Sequence, residues 1–145
     1  AMAADFRICS DDSQLGVPAA RLSIAYSYDA IRRLCSLVGP SYAKDILITA
    51  RRIQADEALR IGLVNRVVTA ADLDMAVAEY TDAIEENAPL SMHASKLTVT
   101  EILKDSKDRD MAAIDEIGRI CFDSNDFKEG RTAFMEKRKP VFTGT

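Results

Sequence analysis

The chain has 145 residues, 48% of them hydrophobic, and carries 23 acidic against 19 basic residues for a formal charge of −4. That is enough for one domain with a real core, and it excludes the strongly basic balance of a nucleic-acid binder. Nor is there an apolar run of about 18 residues or more to cross a membrane. Cys9, Cys35 and Cys121 are an odd, widely spaced set with no CxxC. They read as reduced thiols in an intracellular, cytoplasmic setting.

The apolar run Ala1–Ala4 leads directly into Phe6 and Ile8, so the chain reads as a piece of something longer. Alternation of Phe6 and Ile8 with Asp5 and Arg7 predicts a half-buried strand over 4–8. Residues 10–13 are a polar turn, and 14–18 are extended at best because Pro18 limits them to an edge or an exit. A loop or helical turn follows over 19–24. Ser27 or Asp29 is placed to cap a helix over 30–38 with Ile31, Leu34, Leu37 and Val38 on its apolar side. Gly39 and Pro40 punctuate, and Ala43, Ile46, Leu47 and Ala50 recur on one helical face. A short helix over 55–59 stops at Gly62, and 63–68 is extended and apolar.

From there the pattern is almost all helix. One helix begins at 69–72 and runs to about 87, with Leu73, Ala76, Val77, Tyr80 and Ile84 as its stripe. Pro89 starts another, to about 103, with Met92, Ser95 or Lys96, Val99 and Leu103 on successive turns. After a polar break at 104–108, Met111, Ile114, Ile117 and Phe122 are spaced for packing. A short amphipathic helix over 127–137 is ended by Pro140. The expected organisation is an α/β portion over 1–70 and a helical portion over 71–145. The latter carries more apolar stripe than the former can cover, which points to a neighbouring subunit or further chain.

No motif stands alone as an active site: there is no GxGxxG, P-loop, GxSxG or HExxH. His93 reads as a helix-surface or packing residue without metal-ligand company. The carboxylate pairs Asp11/Asp12, Asp72/Asp74 and Glu85/Glu86 read as turn, helix-start and surface groups. Tyr26, Tyr28 and Asp29 form the best polar cluster. They line a pocket, where a first helical turn favours a polarised group, or they serve loop packing and a helix cap. Arg51 and Arg52 read as a solvated turn or an anion contact. The run Lys137, Arg138, Lys139 reads as an anion contact or as a favourable helix end.

Four stretches in order, ADFRICSDDSQLGVPAARLSI over 4–24, RRLCSLVG over 32–39, AKDILITARRIQADEALRIGLVNRVV over 43–68 and DFKEGRTAFMEKRKPVF over 126–142, resemble the enoyl-CoA hydratase/isomerase (crotonase) family. The resemblance implies the C-terminal part of a ββα spiral followed by a helical trimerisation region, in a homotrimer or dimer of trimers. It implies an acyl-CoA thioester as partner, in fatty acid metabolism, with coenzyme A as part of the substrate and no permanently bound cofactor, metal, nucleic acid or membrane. Two backbone N–H groups of such proteins stabilise an enolate-like thioester oxygen. Both would lie upstream of Ala1, as would the first hydratase glutamate.

The second hydratase glutamate aligns with Ala19, and a methyl group cannot carry a proton. Asp29, Tyr26 and Tyr28 fall where the acyl end would lie, replacing small residues, and are the catalytic candidates. Lys137 aligns with a basic residue that approaches the CoA phosphate or adenine end, and Phe122 and Phe134 are candidates to wall the same site. The parent is expected to be a hydratase, with isomerase or thioester hydrolase as alternatives. A non-catalytic CoA-binding or oligomerisation module is the other alternative. The 145-residue piece alone is expected to be inactive, and its dilute monomer poorly folded.

Overall fold

The computed structural model describes residues 2–145. The apolar run at the start begins outside them at Ala1, and residues 2–5 form turns and bends. The chain divides into two compact units, one ending at Glu79 and the other covering Tyr80–Thr145.

In the first unit β1 (Ile8–Ser10) runs parallel to β4 (Arg66–Val68), with Cys9 opposite Val67. The strand expected over 4–8 therefore sits further along the chain. The cause is a lock just before the ladder. Arg7 N–H donates to the Asn65 side-chain oxygen at 2.9 Å, and Asn65 N–H donates to the Arg7 carbonyl at 2.7 Å. That exchange fixes where pairing starts and leaves Phe6 exposed. β2 (Gln14–Leu15) pairs antiparallel with β3 (Ile53–Gln54), a strand that the sequence pattern does not announce.

Between them, a 3-10 turn (Ala19–Leu22) leads to α1 (Tyr28–Thr49). Ser27 caps α1, its Oγ accepting from Ala30 N–H at 3.4 Å, which decides between the two capping candidates. α1 is two helical segments joined at Gly39, whose φ of 74° and ψ of 164° are not helical. Pro40 follows in the first turn of the second segment, where its missing N–H costs nothing. α2 (Ala55–Arg60) is short and ends at Gly62, which has a φ of 78°. The core gathers Leu34, Val38, Ala43 and Ile46 of α1 with Ile53, Ala58, Ile61, Leu63 and Val64. From the short β3–α2 stretch Ile53 and Ala58 enter this cluster and Ala55 is also buried, while Leu59 is exposed.

A 3-10 turn (Ala70–Asp72) opens α3 (Leu73–Glu85), with Thr69 Oγ1 donating to Asp72 Oδ2 at 2.7 Å. Of its expected stripe, Ala76 is buried, Leu73 and Tyr80 are half-buried, and Val77 and Ile84 are exposed. In the second unit α4 (Pro89–Ile102) begins on its proline. α5 (Met111–Asp123) is capped by Asp110, whose carboxylate accepts from Ala113 N–H. Glu101, 3% exposed, fastens the α4–α5 corner: it accepts from Lys104 Nζ at 2.6 Å and from Asp110 N–H at 2.9 Å.

The α5 stripe is buried only in part. Ile117 is buried and Ile114 half-buried, while Met111 and Phe122 are exposed. At about 100° per residue Met111 and Phe122 share one direction, about 120° from Ile117, so one packed face cannot hold all four. α6 (Asn125–Glu136) starts earlier than expected because the buried Ser124 caps it, accepting from Phe127 N–H at 3.0 Å. It ends at Lys137 in a left-handed conformation, ahead of Pro140.

Candidate functional site

The first unit contains a cleft of about 230 Å³ whose walls include Leu15, Val17, Tyr26, Leu34, Ile46 and Leu63. Gly16 lies in its rim, and a Cβ there would stand 3.1 Å from the Arg51 carbonyl oxygen. A side chain would push the β2 end off β3, so glycine permits the close approach. Two polar side chains join this mainly apolar lining, Tyr26 with its phenol and Arg7, whose guanidinium donates to the Leu63 and Ala4 carbonyls. Tyr28 is 75% exposed at the start of α1, and Asp29 is exposed in its first turn. Neither lines the cleft, so of the three Tyr26 alone is brought to it. Ala19 is buried at the first position of the 3-10 turn, where its carbonyl accepts from Ile24 N–H at 3.1 Å.

Arg51 is half-buried and already paired with two carboxylates. Its guanidinium donates to Asp45 Oδ2 at 2.9 and 2.5 Å and to both Glu57 oxygens at 2.7 Å. These bonds hold the Asp45 and Glu57 carboxyls below their usual range and the guanidinium above its own. Arg52 donates to the Gln14 side chain at 2.9 Å. The arginine pair therefore knits α1, α2 and the β2–β3 ribbon behind the cleft.

A second, larger cleft of about 490 Å³ lies within the helical unit. Phe122, Phe127, Phe134 and Phe142 line it, with Cys121 and Arg131. The Phe122 and Phe127 rings meet edge to face at 5.3 Å, and the Arg131 guanidinium lies 5.7 Å from the Phe127 centroid. Such contacts stabilise a ring and a cation that are both half in water. Phe134 remains 82% exposed.

Lys137 is exposed on the left-handed turn after α6 and does not line this cleft. Its neighbours are spent: Arg138 is paired with Glu129 and Glu136, and Lys139 with Glu86. The structure thus brings Phe122 and Phe134 together and leaves Lys137 apart. Phe127, Arg131 and Phe142 complete the cleft without having been singled out in the sequence. The Phe127–Arg131 spacing of one helical turn was the available signal.

The three cysteines are free and half-buried, and His93 is exposed. Among the described residues, no three His, Cys, Asp or Glu side chains gather as metal ligands, and no helix is long and apolar enough to cross a membrane.

The architecture has close counterparts among solved structures. An enoyl-CoA hydratase/carnithine racemase of Magnetospirillum magneticum superposes with a TM-score of 0.90 at 35% identity, over 99% of this chain and 53% of that one. An enoyl-CoA hydratase of Mycobacterium tuberculosis H37Rv gives 0.90 at 31%, over 99% and 57%. The fold class is accordingly crotonase-like α/β. The sequence model for enoyl-CoA hydratase/isomerase matches residues 1–145, and the chain belongs to that family. It is 41% identical over 142 residues to a crotonyl-CoA hydratase of Syntrophomonas wolfei, covering 98% of this chain and 55% of the relative. A short-chain-enoyl-CoA hydratase of Clostridium acetobutylicum is 40% identical over 139 residues, at 96% and 53%. The chain spans about half the length of the curated relatives it matches.

Proposed function

We propose that this chain is the C-terminal part of a protein acting on an acyl-CoA thioester by stabilising an enolate-like oxyanion. Residues 1–70 belong to its α/β core, and 71–145 form a helical region for assembly as a trimer or dimer of trimers. The observation that carries the reading is the unbroken family match over residues 1–145. The mainly apolar cleft with Tyr26 and Arg7 in its wall supports it, being suited to an acyl chain that carries a polar end. Tyr26 is the leading acyl-facing residue, with Tyr28 and Asp29 beside it on the chain. Lys137, Phe122 and Phe134 are proposed to serve the CoA end.

The buried methyl of Ala19 bears on the reaction. Where the family pattern has a carboxylate, this chain has no group to deliver or take a proton. Isomerisation or thioester hydrolysis is therefore as compatible with the cleft as hydration. The Ala19→Glu variant of the whole protein is expected to raise crotonyl-CoA hydration by about 100-fold or more. Hydratase-level turnover by the unaltered protein would show that another residue supplies the proton, and failure to bind any acyl-CoA would end the reading. Ala19 also favours a second reading, a CoA-binding or assembly module without chemistry. Tight CoA binding with no turnover of any thioester would select it. Sedimentation equilibrium tests the assembly: a monomer at every concentration excludes the trimer.

A further inference from the structure

The last residues fold back on α6. Asp126, 4% exposed, accepts from Thr143 N–H at 2.7 Å and Gly144 N–H at 2.8 Å, with Thr143 Oγ1 at 3.3 Å. In return Asn125 and Asp126 N–H donate to the Thr145 carbonyl at 2.7 and 3.1 Å. Val141 N–H donates to Glu129 Oε1 at 2.9 Å. Gly144, with a φ of 77°, makes the turn that lets both sides of this exchange close. Asp126 is not needed to cap α6, because Ser124 already does so. Both of its oxygens go to the returning segment.

That segment carries Phe142. Its ring lies against α6 at Gly130, where an added Cβ would stand at an ordinary contact distance of 3.5 Å. Phe142 thereby becomes a wall of the aromatic cleft that also contains Cys121.

We propose that residues 141–145 are a strap latched by Asp126, which holds Phe142 across the cleft, so that releasing the latch opens the cleft. A buried carboxylate deprived of its two N–H donors is poorly solvated, so the closed arrangement is favoured. Asp126 is a positioning residue for the Phe142 ring.

The test uses the full-length protein and its own thiol as reporter. Hydrogen exchange is followed at the Thr143 and Gly144 amides, and the labelling rate of Cys121 by a thiol reagent is followed by peptide mass spectrometry. Asp126→Ala is expected to speed exchange at both amides at least about ten-fold and to label Cys121 several-fold faster, with Cys35 unchanged. Asp126→Asn, which keeps one acceptor, falls between. Phe142→Ala is expected to speed Cys121 labelling while leaving both amides protected, which separates wall from latch. Unchanged exchange in Asp126→Ala, or unchanged Cys121 labelling in both variants, overturns the proposal. Should Asp126→Ala fail to fold, Thr143→Pro removes one latch donor, and exchange at the Gly144 amide with the labelling rate of Cys121 decides.

Discussion

Arg51 uses its planar guanidinium to hold two carboxylates on different helices, Asp45 on α1 and Glu57 on α2. A lysine has no such fork. Glu129 stands in the same relation to Arg138 and also accepts from Val141 N–H. The two guanidinium bonds, and after them the one from Val141, hold its carboxyl down at about 2 against an ordinary value of 4.5. The sign of the pH effect follows. For Asp45, Glu57 and Glu129 the folded form binds a proton less readily than the unfolded chain. Their stabilisation is fully present above about pH 4.5 and disappears as pH falls toward the depressed folded values. Thermal midpoints are therefore expected to be flat from neutrality to about pH 5 and to fall below it. A midpoint that instead drops between pH 8 and 5 would mean that other groups control stability. None of these pairings was legible beforehand. An arginine beside a turn looks solvated until the chain brings a carboxylate from each side.

At the scale of elements, the helices were readable because a 3.6-residue repeat survives over many turns. Ser27, Gly39, Pro40 and Pro89 marked helix ends through local chemistry alone, whereas α6 stops at the left-handed Lys137 before Pro140 is reached. β3 was not readable: two residues, Ile53 and Gln54, cannot show an alternation, and Ile53 is a strand residue only because Gln14 and Leu15 lie beside it. The strap of 141–145 was equally silent, since it has no period and is held by side chains rather than a ladder. The candidate site divides the same way. Phe122 and Phe134 were named through the family resemblance, whereas Phe142, which lines the same cleft from the segment that donates to Asp126, was not.

Two glycines test the element boundaries. Gly39 adopts backbone angles reserved for glycine, with open space where a Cβ would go. Gly39→Ala is expected to cost about 1–3 kcal/mol from backbone strain alone. At Gly62 a Cβ would also stand 3.1 Å from the Leu37 carbonyl oxygen, so Gly62→Ala is expected to cost more. Urea unfolding of the two variants checks the order, and equal losses would contradict it.

For the whole molecule, the organising fact is two compact units with different resources. The first packs around Leu34, Ile46 and Ile53, the largest fully buried side chains. Ile53→Ala is expected to remove about 2–5 kcal/mol from the unfolding free energy of that unit. A loss under about 1 kcal/mol would mean that the site collapses freely around the gap. The helical unit instead relies on corner fastenings, Glu101 between α4 and α5 and Asp126 between α6 and the strap. Its many exposed apolar side chains outside the cleft, among them Val99, Ile102, Leu103 and Met135, are the physical ground for proposing that it works as an assembly surface.

The parallel β1–β4 pair has a consequence for the order in which the chain acquires structure. Its first tie, Arg7 to Asn65, joins residues 58 apart in sequence. Closing such a loop costs on the order of 3–4 kcal/mol of chain entropy before any contact repays it. The α4–α5 corner closes across only nine residues, from Glu101 to Asp110. Local helical hairpins form early and distant strand pairs late. During refolding of the whole chain the helical unit is thus expected to be formed while β1 still waits for its partner. Through that interval β1 is an unpaired edge, and its Arg7–Asn65 lock is the event that ends the exposure.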